Sequence, residues 1–153
     1  MEYINSFDDL LNMKRKGEYE LACDIDCEGK TIKCIIGDFS GKLNGKGHRI
    51  TNLILSDDIW GDEQTLALFY SMTKAEISDI TFEKISVIYE RTCYQPRVAV
   101  LAGSCSNCVI SNVSVVMEEE PENLALIYDA NDCKIENVSI TKDGKKGQVA
   151  KYF

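Results

Sequence analysis

Four stretches decide the fold: Ile50-Thr51-Asn52-Leu53-Ile54-Leu55, Ile77-Ser78-Asp79-Ile80-Thr81-Phe82, Ile110-Ser111-Asn112-Val113-Ser114-Val115 and Ile135-Glu136-Asn137-Val138-Ser139-Ile140. Each reads isoleucine, polar, Asn or Asp, apolar, any, apolar. The leading isoleucines stand 27, 33 and 25 residues apart. Self-similarity at such a period is the mark of stacked structural repeats. The stretches are short, rich in β-branched residues and bounded by Asn, Asp, Gly or Ser, which are strand signals. Strands from successive coils pair in parallel, ~4.8 Å apart, so equivalent side chains form columns. The expected columns are Ile50, Ile77, Ile110 and Ile135; Leu53, Ile80, Val113 and Val138; and Leu55, Phe82, Val115 and Ile140. Asn52, Asp79, Asn112 and Asn137 mark the bends, because Asn and Asp tolerate a left-handed backbone. The same register stacks Ala75, Cys108 and Cys133, opposite His48.

A second segment precedes the last three repeats. It reads Leu66-Ala67-Leu68-Phe69, Val98-Ala99-Val100-Leu101 and Leu124-Ala125-Leu126-Ile127, and lies 11, 12 and 11 residues before the next leading isoleucine. The first coil is less regular: Tyr19-Glu20-Leu21-Ala22-Cys23-Asp24-Ile25-Asp26, then Ile36-Gly37-Asp38-Phe39 and Gly41-Lys42-Leu43-Asn44-Gly45-Lys46-Gly47-His48-Arg49-Ile50-Thr51-Asn52-Leu53. These residues resemble the right-handed parallel β-helix repeats of pectate-lyase-like proteins, and among them the GLUG-type repeats of bacterial surface proteins. The resemblance spans roughly residues 19–140 and is carried mostly by residues 36–55. It implies an all-β fold, a short right-handed parallel β-helix (solenoid) of about five coils. It does not imply an enzyme, because a fold is not a function.

The domain expectation is an N-terminal capping helix within residues 1–18, the β-helix over 19–141, and a C-terminal tail over 142–153 that caps the last coil or meets a partner. Ser6 suits an N-cap, Asp8 and Asp9 a helix start, Lys14 to Lys16 a helix end and Gly17 a stop. Phe7, Leu10 and Leu11 supply its apolar face. Residues 142–151 hold four lysines and one aspartate, followed by Tyr152 and Phe153.

A chain of 153 residues with 27% charged and 44% hydrophobic residues suits one folded domain. Its net charge of −8 disfavours direct binding to nucleic acid. No apolar run approaches the ~18 residues of a membrane span, and the first 20 residues hold no apolar signal core. The expectation is therefore a cytoplasmic protein, in a host cell's cytoplasm if phage-encoded. Seven cysteines, an odd number, cannot all pair within one chain. In a reducing compartment they are free thiols, mostly small buried residues. Cys105-Ser106-Asn107-Cys108 has Cys-x-x-Cys spacing. A zinc site there needs two further ligands, such as Cys133 and Cys93. Because the repeat already accounts for Cys108 and Cys133, no metal, cofactor or redox role is assigned. Asp24 and Asp26 read as turn residues, His48 likewise, and no catalytic residue is assigned.

The charge is concentrated. Asp57, Asp58, Asp62 and Glu63 are four carboxylates after Leu55, and Glu118, Glu119, Glu120 and Glu122 are four after Val115; these eight equal the net charge. If both runs leave the same column position, they form one acidic stripe with Trp60, Tyr89 and Tyr94 set into it. Aromatic residues within a charged patch are common contact anchors, although such a stripe also serves simply as a solvated edge. The expectation is a non-catalytic protein-interaction module whose partner has a basic surface. A phage- or mobile-element-encoded inhibitor of anti-CRISPR type, occupying a nucleic-acid-binding groove, fits it. A homodimer through the C-terminal end is a further partner arrangement. The alternatives are a glycan-binding adhesin fragment and a minimal polysaccharide-active enzyme, the latter weakened by the lack of paired acids.

Overall fold

The computed structural model describes residues 1–32, 36–57, 65–89, 97–117, 125–142 and 145–152. The regular structure among these residues is strand with one short helix: β1 (Glu2–Ile4), α1 (Phe7–Leu11), β2 (Glu18–Leu21), β3 (Ile25–Asp26), β4 (Thr31–Ile32), β5 (Ile36–Phe39), β6 (Lys42–Asn44), β7 (Arg49–Thr51), β8 (Ile54–Asp57), β9 (Thr65–Leu66), β10 (Phe69–Thr73), β11 (Glu76–Tyr89), β12 (Arg97–Ser106), β13 (Val109–Met117), β14 (Ala125–Asn131), β15 (Lys134–Lys142), β16 (Lys145–Lys146) and β17 (Gln148–Tyr152). Among the described residues all pairings are parallel except the β15–β16 hairpin. One stack runs β1-β2-β6-β11-β13-β15, and the facing stack runs β5-β10-β12-β14-β17. This is a parallel β-solenoid with its apolar core between the stacks. The long rungs amount to about three turns rather than the five expected. Below β11 the coils are broken into strands of two to five residues.

The 14 residues of β11 show how the sequence makes a rung. Ile77, Ile80, Phe82 and Ile85 point inward and are fully buried. Between them Asp79 and Lys84 hold φ of 53° and 52°, so the strand turns two corners, keeping register with β13 across the first and shifting it between Glu83 and Ile85 at the second. Its three faces rest on β6, β7 and β8 in turn.

This register corrects the expected columns. Ile77, Ile110 and Ile135 do stack, and the column continues below through Leu43 and Tyr19, not Ile50. Ile50 lies with Ile25, Phe82, Val115 and Ile140. Leu55 lies with Ile32 and Val87, and Ile80, Val113 and Val138 form their column without Leu53. The reason is that apolar, polar, left-handed residue, apolar, any, apolar describes more than one corner of the coil. Phe82-Glu83-Lys84-Ile85-Ser86-Val87 is the same hexad with lysine in the left-handed place, and it is the counterpart of Ile50 to Leu55. The counterpart of Ile77 to Phe82 is Leu43 to Ile50, eight residues against six. The surplus is absorbed at Lys46 and Gly47, both at positive φ, where the Gly45 and Gly47 N–H groups still bond the Ser78 and Asp79 carbonyls above.

At the N-terminal end the helix is shorter than expected. Ser6 caps it, its Oγ accepting from the Asp9 N–H at 3.2 Å, and it closes at Asn12. Lys14 to Lys16 therefore lie beyond it. Phe7 and Leu10 join the core while Leu11 is exposed. The preceding β1 adds a terminal strand to the sheet. The C-terminal segment is a further rung: β17 pairs with β14 and buries Ala150.

Candidate functional site: a loop-bearing edge and a three-thiol corner

Two features stand out: the edge from which the long inter-strand segments depart, and a corner lined with sulfur. At the edge, Asp57 pairs with Tyr89 where β8 and β11 end, and Thr65 pairs with Arg97 where the chain returns. Segments 58–64 and 90–96 thus have stacked anchor points at both ends. The 118–124 segment returns at Ala125, level with Ala99. It departs after Met117, however, which lies level with Ile85, four residues before the end of β11. The expectation that both acidic runs leave one column position is corrected: Leu55 stacks on Val87, Val115 on Phe82. The shift is the same one-corner phase difference that moves Ile50. Of the expected contact residues, Asp57 and Tyr89 are brought together as backbone partners. Asp58, Trp60, Asp62, Glu63, Tyr94, Glu118, Glu119, Glu120 and Glu122 lie outside the described residues.

Two successive corners of the lower coils are held by carboxylates. Asp24 Oδ1 accepts from the Arg49 N–H at 3.0 Å and lies 3.2 Å from His48 Nδ1. Asp26 Oδ1 accepts from Asn52 Nδ2 at 2.9 Å and from the Glu28 N–H at 2.8 Å. The Arg49 N–H, and His48 after it, hold the Asp24 carboxyl below its usual range. The Asn52 amide and the Glu28 N–H do the same for Asp26. Each carboxylate staples one rung to the next, as turn residues should. An open depression beside them is lined by Asp26, Glu28, Asn52, Ile54, Lys84 and Ser86.

The sulfur corner lies between the facing stack and the sheet. Ala75, Cys108 and Cys133 occupy one column, as expected: the Val109 N–H bonds the Ala75 carbonyl and the Lys134 N–H the Cys108 carbonyl. Below Ala75 stand Gly41 and Gly17, not His48, since the Glu76 N–H bonds Gly41 and the Lys42 N–H bonds Gly17. A Cβ on Gly41 would overlap the Gly17 carbonyl, so this column begins with residues that have no side chain. His48 lies one corner on, its carbonyl accepting from the Thr81 N–H.

Cys105 enters from the neighbouring column, where Met72 lies below it and Ala130 above. Its sulfur is 3.0 Å from Cys133 Sγ, and all three sulfurs lie within 4.8 Å of one another. Cys105 and Cys108 are buried; Cys133 is half-buried. The Cys133 thiol reaches the Cys105 carbonyl at 3.3 Å and the Asn131 carbonyl at 3.4 Å, and Cys108 reaches the Ser106 carbonyl at 3.4 Å. The hydrogen bond from Cys105 lowers Cys108 to about 7, while Cys105, which keeps the proton, is raised. Among the described residues this is the one group of three side chains placed to share a metal ion. The Cys-x-x-Cys spacing and the repeat interval from Cys108 to Cys133 were the available signals. What they left out is that Cys105 reaches across the corner to both. Cys34 and Cys93 lie outside the described residues.

Three comparisons with known proteins return nothing: no family model matches the chain, nor does any curated protein or solved structure.

Proposed function

We propose that the chain is a non-catalytic interaction module, a stiff solenoid block whose acidic, aromatic-bearing edge meets a protein with a basic surface. The observation that supports this reading is the pairing of Asp57 with Tyr89 and of Thr65 with Arg97. It stacks the anchor points of two segments in which the sequence concentrates Asp58, Trp60, Asp62, Glu63 and Tyr94. Repeat proteins commonly gather insertions on one face and bind through it. Carboxylates spaced along a rigid block can compete with nucleic-acid phosphates for a basic groove, and they draw the partner in through long-range attraction. An inhibitor of anti-CRISPR type, encoded by a phage or mobile element, is the biological role this chemistry fits. The GLUG-type, right-handed β-helix resemblance supplies a scaffold for such a role and no reaction.

The test is the combined change Asp57→Lys, Asp58→Lys, Asp62→Lys and Glu63→Lys. A basic nucleic-acid-binding protein recovered with the wild-type chain at low ionic strength should lose more than about tenfold in affinity for this variant. Far-ultraviolet circular dichroism should stay unchanged. Wild-type binding should also weaken steeply with salt. Affinity indifferent to both the four reversals and ionic strength removes the acidic edge from the account.

A further inference from the structure

We propose that Cys105, Cys108 and Cys133 form a site for one soft, thiophilic d10 metal ion, zinc(II) or copper(I), held by three thiolates. The donor set argues first. Sulfur alone lines the group, with no carboxylate or imidazole of the described residues joining it. Thiolate-only sites select zinc and copper(I) over hard cations. The geometry argues next. Three sulfurs each about 2.3 Å from a common ion lie about 3.8–4.0 Å apart, whether the ion is trigonal or tetrahedral. The three here already lie within 4.8 Å of one another. Opening the Cys105–Cys133 pair from 3.0 Å by about 1 Å, and closing any pair that lies near the 4.8 Å bound by about as much, gives these separations.

The backbone holds these positions firmly. Asn107 and Asp132 take φ of 56° and 52° at the two stacked corners. Ser106 and Asn131 pair on one side of them, Val109 and Lys134 on the other. A binding constellation on paired strands is more precise than one on free loops. The column of Cys108 and Cys133 calls for small residues but not for sulfur: Gly17, Gly41 and Ala75 precede them, whereas Cys105 has Met72 below it and Ala130 above. Alanine therefore satisfies the packing at Cys108 and Cys133, and their thiols add ligand capacity that packing does not need. The half-buried Cys133 provides the way in, with Cys105 and Cys108 closing the inner side. Binding replaces three thiol protons by one ion. Copper(I) is then satisfied by three sulfurs, whereas zinc keeps a fourth position for a ligand from outside the group.

The experiment uses the full chain without a histidine tag, under anaerobic conditions with a phosphine reductant. It is titrated against chelator competitors with zinc(II), with cadmium(II) as zinc's spectroscopic stand-in, and separately with copper(I). One ion per chain is expected, with a thiolate-to-metal charge-transfer band for cadmium or copper. A one-to-one copper(I) complex that takes up no further ligand identifies copper(I), and a one-to-one zinc or cadmium complex that takes up a fourth, external ligand identifies zinc(II). Cys108→Ala and Cys133→Ala place alanine in a column that already carries Ala75 below them, so both variants should fold. Each should lose more than the ~100-fold typical of an outer-shell change. Cys27→Ala, which removes a buried thiol outside the group, should bind as the wild type does. Sub-stoichiometric binding to the wild type, or binding that survives Cys108→Ala and Cys133→Ala together, overturns the proposal.

Discussion

Cys27 shows how one side chain carries a stability signature. It is fully buried, and its N–H is tied to the Thr51 carbonyl at 2.8 Å. Burial pushes its thiol up from 9.0 to about 12. The folded chain thus holds this proton through an interval where the unfolded chain has released it. The contribution is complete below pH 9 and drains away as pH rises toward 12. We expect Cys27→Ala to flatten this alkaline decline relative to wild type, read from urea unfolding at about pH 8 and about pH 11. Equal declines in the two proteins would refute the assignment. Burial is what the sequence leads one to expect of such cysteines. It leaves open which of them meet, because Cys105 and Cys133 lie on different coils and approach only when the corner closes.

At the scale of the element, the corners govern. Asn112 sits at φ 55°, donates Nδ2 to Asp79 Oδ1 at 2.9 Å and accepts from Asn137 Nδ2 at 2.9 Å. It therefore does two jobs: it tolerates the left-handed backbone and it links three rungs. Asn112→Ala loses both, at a cost of about 2–3 kcal/mol from ~1–2 for the left-handed conformation and ~1 for the bonds. Asn112→Gly restores the backbone freedom and should lose only the bonding part. Chemical denaturation of the two variants checks this; glycine no better than alanine means the backbone conformation carries no cost here. Asn52, Asp79, Asn112 and Asn137, at four of these bends, are readable in advance. Lys84, Lys46 and Lys74 occupy the same left-handed region without such a signature. That is why the first repeat could be read one corner out of phase. A hexad that fits any corner has no label saying which corner it is, and only the hydrogen-bonded ladder to the neighbouring rung assigns one.

At the scale of the molecule, each rung contacts mainly its neighbours, so stability is distributed along one axis. Ile110 lies between two rungs and is fully buried, whereas Ile135 in the same column is only partly so, on a strand paired on its far edge solely at Thr141 and Lys142. Ile110→Ala should cost ~2–5 kcal/mol and Ile135→Ala clearly less. Amide hydrogen exchange should protect β13 more strongly than β15; uniform protection would contradict a structure that opens from its end. Four recurring hexads, β-branched strands and Asn or Asp bends are enough by themselves to determine a parallel solenoid, because they are local chemistry repeated at a fixed interval. Which hexad lies over which, that the two acidic runs depart one corner apart, and that three cysteines from two coils share one corner were decided only in three dimensions. Two extra residues between Leu43 and Ile50 shift the phase of a whole coil, and a side-chain period alone does not record where such a surplus is absorbed.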